Sequence, residues 1–232
     1  VDGCHDAKTH QLLDDFACGC LQSACKFANR NFLGNFHAND LLNHGLLLLA
    51  ALVIGAVGGA VGAAFHHAVE WATETRQEHP LLLFCLPLAG LAIVGLYHLF
   101  HMENDGGTEN VLESAREPGY LRLSMVPLIF VATTLTHLCG GSAGREGAAL
   151  QMGGTIGHHT GRLFRLDDQD QRTATMAGMA AFFAALFGTP LTSTVFSMLV
   201  ISIGAVYHAT FIPCLTASLV AYGVSLLMGV EP

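Results

Sequence analysis

From Leu41 onward the sequence is a succession of apolar tracts separated by short polar breaks, and this alternation constrains the fold more than any motif. A helix that spans a bilayer takes about 20 predominantly apolar residues. Leu41–Trp71, Leu81–Phe100 and Ala209–Met228 reach that length. Charged residues make up only 12% of the chain, and mean hydropathy is +0.48; soluble domains carry about 25% charged residues. The tracts recur to the C-terminal end, which argues against one secretory signal ahead of a soluble domain. The composition therefore predicts an all-α integral membrane protein. A net charge of −8 argues against nucleic acid as a partner, because that role needs a basic face.

Several tracts are short or broken. Leu123–Leu138 is a third hydrophobic helix, and Ala148–Phe164 reads as another. Val111–Ala115 has helical character after Gly106-Gly107-Thr108 and is read as a half-helix. Ala174–Phe187 falls short of the spanning length, and Gly188-Thr189-Pro190 separates it from another short tract, Leu191–Ile203. These two are expected to form a re-entrant pair. Thr73–Pro80 is read as a charged break between spans, with Pro87 inside the second span. The polar break holding Arg162, Arg165 and Arg172 is placed in the cytoplasm, because cytoplasmic loops carry the excess of basic residues. Short, interrupted helices mark transporters and channels whose site lies at membrane depth.

Residues 1–40 are polar, of mixed charge and without sustained periodicity, and are expected to form a cytoplasmic or disordered tail before a membrane unit over residues 41–232. Cys4, Cys18, Cys20 and Cys25 cluster there with His5 and His10, but without a paired C-x-x-C spacing, so no zinc site is expected. Cys85, Cys139 and Cys214 sit in apolar tracts, where cysteine behaves as a small hydrophobe. The first residue is Val, which suggests a trimmed start or a fragment.

The chemistry concentrates between Gly140 and Gly154. Gly140, Gly141 and Gly144 allow a sharp turn, and a helix is expected to start near Arg145. The first amides of such a helix lack intrahelical partners and lie at the positive end of its dipole, which makes an anion site. Arg145 adds positive potential, and Glu146 can occupy the anion site itself and leave when protonated or displaced. Arg145 and Glu146 as a structural ion pair is the rival reading, weakened because adjacent helical residues do not face each other. A phosphate loop is also weak, since no G-K-[ST] follows.

Gly144-Arg145-Glu146-Gly147, followed by Gln151 and Gly153-Gly154, resembles the G-[KR]-E-G-P signature of the CLC anion channels and transporters. Ala177–Phe182 and Phe187–Leu191 resemble the family's paired short helices. The resemblance runs from about Leu41 to Gly229 and implies the first inverted-repeat half of a CLC-type fold. It further implies Glu146 as gate and proton-transfer residue, with Gly106, Gly107, Thr108, Gly144, Arg145, Gly147 and Ala148 around the anion. A homodimer in a bacterial inner membrane, moving fluoride or chloride with protons and using no cofactor, is what the family leads one to expect. Ala148 stands where the signature has proline, and Thr108-Glu109-Asn110 replaces the family's S-G-I-P ending. No acid occurs in Phe196–Val200, where chloride–proton exchangers carry a second proton glutamate. The wording of the signature is closer to the fluoride-exporting branch, so fluoride–proton antiport is favoured over chloride transport.

Two alternatives keep the anion but drop the coupling or the transport: a passive chloride channel, and a truncated, non-transporting membrane fragment or scaffold. An intramembrane enzyme using Glu146 as base would need a nucleophile or an H-E-x-x-H helix, which the sequence lacks, so no enzymatic role is expected. His66-His67 and His158-His159 are read as interfacial residues near helix ends, Glu70 and Trp71 as interface markers, and Met152, Met176, Met179 and Met198 as packing. Glycines 55, 58, 59 and 62 form two overlapping G-x-x-x-G pairs, read as a generic packing face. His137 and Cys139 are too few to hold a metal.

Overall fold

The computed structural model describes residues 38–102, 106–116, 119–201 and 208–230. Two compact units divide between Asn43 and His44. The cysteine- and histidine-bearing tail lies outside the described residues, and the second unit carries the helices that build the fold.

The described residues form helices and no strands. They are α1 (Ala38–Glu78), a 3-10 helix (Pro80–Cys85), α2 (Leu86–Leu99), α3 (Thr108–Arg116), α4 (Met125–Leu138), α5 (Arg145–Leu163), α6 (Asp168–Phe187), α7 (Pro190–Ile201) and α8 (His208–Leu227). Within them His44–Glu78, Pro80–Leu99 and Ala209–Leu227 are long and apolar enough to cross a membrane. The all-helical membrane fold with short and interrupted helices is thus as expected, with three boundaries moved.

The first shift concerns Thr73–Glu78, expected as a break, which continues α1 to Glu78. Charged side chains at a helix end can reach water while the backbone ladder runs on, so composition marks the end of the apolar stretch and not the end of the helix. The chain turns only at His79-Pro80. The second span changes from 3-10 to α-helix between Cys85 and Leu86, and Pro87, inside that span as expected, stands in the first turn of α2, where the amide it lacks would have had no intrahelical partner. The third shift is in α6, which starts at Asp168 rather than Ala174. Asp167 caps it, its carboxylate accepting from the Asp170 amide at 2.8 Å. At the other end Gly188 takes φ 65°, the left-handed cap that stops the helix before Pro190.

The core is built on close helix contacts through small residues. α5 packs along α6, and α6 packs on α7 and α8. A Cβ at Gly153 would lie 2.5 Å from the Gly178 carbonyl oxygen, so these two backbones touch where no side chain fits. The overlapping glycine pairs of α1 divide between two neighbours. Gly55 and Gly59 face Ala217 and Ala221 of α8, while Gly58 and Gly62 face Ala181 and Ala185 of α6. Small-x-x-x-small faces permit such approach, and packing then holds helices together where lipid supplies no hydrophobic drive. Phe65 and Phe182 fill the volume between α1 and α6, both fully buried, with ring centroids 6.2 Å apart. Met152, Met176, Met179 and Met198 are buried packing residues, as expected.

Hydroxyls inside the bundle are satisfied by the helices that carry them. Thr134, Thr136, Thr155, Thr160 and Thr175 each donate to the carbonyl four residues back. Between α7 and α8, Thr194 also donates to Ser218 at 3.1 Å. By contrast α2 buries only Ala89 and exposes Leu88, Leu91, Val94 and Leu99, an apolar surface suited to hydrocarbon.

Candidate functional site

α5 begins where the glycine-rich run ends. Gly144 is its N-cap, with extended backbone (φ −68°, ψ 121°) and no side-chain cap. Its first amides are therefore left for an outside acceptor. Glu146 is exposed, and its Oε2 lies 3.4 Å from where a Cβ of Gly144 would stand. The carboxylate thus folds back over the start of its own helix. Arg145 is half-buried, and among the described residues neither Arg145 nor Glu146 takes part in an ion pair. The salt-bridge reading of the two residues is not what the structure contains.

A second helix start meets the first. Gly107 has φ 61°, a left-handed turn that a side chain would strain, and it delivers Thr108 as the first residue of α3. Gln151, one turn into α5, donates from Nε2 to Thr108 Oγ1 at 2.8 Å. A Cβ on Gly147 would come 3.4 Å from the same oxygen, which puts the two starts in contact distance of each other. Thr108 Oγ1 accepts from Gln151, and its own proton has no acceptor among the described residues. One free hydroxyl donor and one uncapped helix start accordingly face the same region.

The structure brings Gly107, Thr108 and Gly147 together, with Gly144, Arg145 and Glu146 along the same helix start. Gly106 is exposed and stands one residue further out, its carbonyl accepting from the Glu109 amide. Ala148 is buried at 5% exposure and faces the core cluster with its methyl group, so only its backbone can take part. Gln151 completes the contact; in the sequence it belongs to the signature without an evident role. Its position one turn after Gly147 was the available signal.

The histidine pairs have partners within the fold. His158 is buried at 3% exposure, between Ser114 and Gln171. Helix α5 packs on α3 and α6 along this turn, which covers the ring. His159 is partly buried and its Nε2 pairs with the Leu121 carbonyl at 2.9 Å. His66 and His67 both lie 3.7 Å from Glu70 and so have a carboxylate partner, which an interfacial role does not call for. Residue pairs three and four apart on a helix meet in this way. Among the described residues no group of three or more potential ligands could hold a metal ion.

Residues 89–232 match the family described as voltage gated chloride channel. The chain is 38% identical over 185 residues to a chloride/fluoride channel protein of Pseudomonas syringae pv. tomato, covering 79% of this chain and 41% of that one. With an H(+)/Cl(−) exchange transporter ClcA of Vibrio vulnificus it shares 35% identity over 180 residues, 68% of this chain and 38% of the other. It superposes on a crystal structure of a CLC-type fluoride/proton antiporter with a TM-score of 0.78 at 36% identity, covering 85% of this chain and 49% of that one. The chain thus spans less than half the length of the relatives it matches. With a matching family profile, this level of identity and the same helical fold, the chain belongs to the voltage-gated chloride channel (CLC) family of membrane proteins.

Proposed function

We propose that this chain supplies one wall of an anion pathway in a proton-coupled CLC transporter, with Glu146 as the gate. The observation that carries the proposal is the meeting of two helix starts at Thr108 and Gly147, one uncapped and overlain by the Glu146 carboxylate. An anion entering there would find backbone amides at the positive end of α5 and the spare hydroxyl proton of Thr108. Glu146 competes for the same amides while ionised and withdraws when protonated, which couples anion entry to proton delivery. Gly144, Arg145, Gly147 and Ala148 contribute backbone and positive potential, while Gly106 and Gly107 shape the approach to Thr108.

Fluoride is the preferred anion. It is small and strongly hydrated, and a short hydroxyl-and-amide cradle can replace part of its hydration. The relatives whose names include fluoride, at 38% and 36% identity, support this choice. The working unit is taken to be a homodimer of longer chains in a bacterial inner membrane, with residues 1–40 as a cytoplasmic tail and 41–232 as the membrane half.

Flux from liposomes, followed with fluoride and chloride electrodes and an internal pH dye, tests the reading on a family-length protein that includes this sequence. Fluoride efflux with counter-movement of protons is expected, and Glu146→Gln should abolish the proton movement. Absence of flux for both anions would overturn the transport reading. Unchanged coupling in Glu146→Gln would overturn the role of that residue.

A further inference from the structure

At the far end of α5 from Glu146, the ends of three helices enclose a cavity of about 300 Å³. It is lined by Arg162 and Arg165 at the end of α5, by Asp168, Gln171 and Arg172 at the start of α6, and by His158. Three of the ten basic residues of an acidic chain thus surround one small space, against one lining carboxylate.

The polar groups around it are incompletely paired. Gln171 Nε2 donates to the His158 carbonyl at 2.6 Å and lies 3.2 Å from Nδ1 of the same ring, with Ser114 Oγ at 3.5 Å. With Nδ1 accepting, the ring proton sits on Nε2, and that buried donor has no partner among the described residues. Nε of Arg172 is likewise buried without one. Buried polar groups are ordinarily hydrogen-bonded, and an exception calls for a missing ligand or water. Arg165 holds φ 54° just beyond the end of α5, the left-handed position that closes the helix.

Beside the cavity, Leu163 and Tyr120 are largely exposed, and Arg162 lies over the Tyr120 ring at 5.4 Å. Aromatic and aliphatic side chains beside arginines are what the headgroup level of a bilayer calls for. Basic pockets between membrane helices on the cytoplasmic side suit anionic headgroups.

We propose that this cavity is a phosphate-binding site, separate from the anion pathway, and that it takes the headgroup of an anionic phospholipid. Guanidinium forks match phosphate oxygens two at a time, and the unpartnered Nε2 of His158 adds a neutral donor. Inorganic phosphate offers the same oxygens, so the two sources must be distinguished.

The chain is extracted from bilayers of phosphatidylcholine mixed with phosphatidylglycerol, and retained phosphatidylglycerol is counted by native mass spectrometry. In parallel, thermal unfolding in uncharged, lipid-free detergent is compared between inorganic phosphate and chloride at equal ionic strength. Retention of phosphatidylglycerol is expected, reduced about tenfold in Arg165→Gln/Arg172→Gln because charge-assisted hydrogen bonds are lost. A phosphate-specific rise in unfolding temperature that the double variant loses, without lipid retention, would sustain the site and replace its source by free phosphate. Should the glutamine pair fail to fold, Arg165→Lys/Arg172→Lys keeps the charge and loses the forks, and is expected to bind with intermediate strength. The site is overturned if variants and wild type agree in both arms. It is equally overturned if Arg122→Gln, which lies outside the cavity, weakens retention as much.

Discussion

At the scale of single residues, Thr108 shows most directly how the chemistry of the candidate site works. Its oxygen accepts from Gln151, which fixes the rotamer, and the proposed role of its hydroxyl proton is to meet an anion. Thr108→Val removes both functions and leaves the Gln151 amide without its acceptor. A hydrogen bond to a charged group contributes about 1.5–3 kcal/mol, so without the Thr108 hydroxyl anion affinity is expected to fall at least about tenfold, since each 1.4 kcal/mol is one decade. Fluoride titration of exchange rates in the family-length protein checks this, and Thr108→Ser should retain most of the affinity. At Gly147 a Cβ would meet Thr108 Oγ1 at 3.4 Å, so a small side chain there would touch that oxygen without a clash.

Helices bring a different set of forces into view. Gly153 of α5 sits against the Gly178 carbonyl of α6, and the Cβ of Gly153→Val would stand 2.5 Å from that oxygen. Overpacking of this kind costs about 1–3 kcal/mol, and helix separation would also displace the α5 start on which the site depends. A lowered unfolding temperature in detergent is expected. Gly90→Ala makes the contrast, because nothing lies within 4 Å of its Cβ position in lipid-facing α2; helix propensity then predicts a gain of up to about 1 kcal/mol. The start of α6 offers a third measurement. Asp167→Ala removes the acceptor of the Asp170 amide, and loss of such a cap costs about 0.5–2 kcal/mol. Hydrogen exchange of the α6 amides should quicken in its first turn alone.

For the molecule as a whole, the arrangement explains both what this chain can do and what it needs. The site has two helix starts on one side, while this chain matches less than half of each relative's length. Liposomes bearing the 232-residue chain alone are therefore expected to release neither fluoride nor chloride above the rate of empty vesicles, in contrast to the family-length protein. Much of the whole was already written in the residues. Apolar tracts of spanning length determined the membrane fold, because a bilayer leaves no alternative to helices there. The Gly-Arg-Glu-Gly run located the start of α5, because glycines permit the turn that precedes a helix and charge in an apolar setting favours a helix end. Hydropathy did not locate the ends of α1 and α6, since Thr73–Glu78 and Asp168–Thr173 are helical without being apolar. Nor could one-dimensional reading bring Thr108 to Gly147, or enclose His158 among Arg162, Arg165 and Arg172. Those meetings depend on α3, α5 and α6 packing at distances set by backbone contact between glycines. Local sequence sets each helix and its start; which starts face one another is decided only when the helices pack.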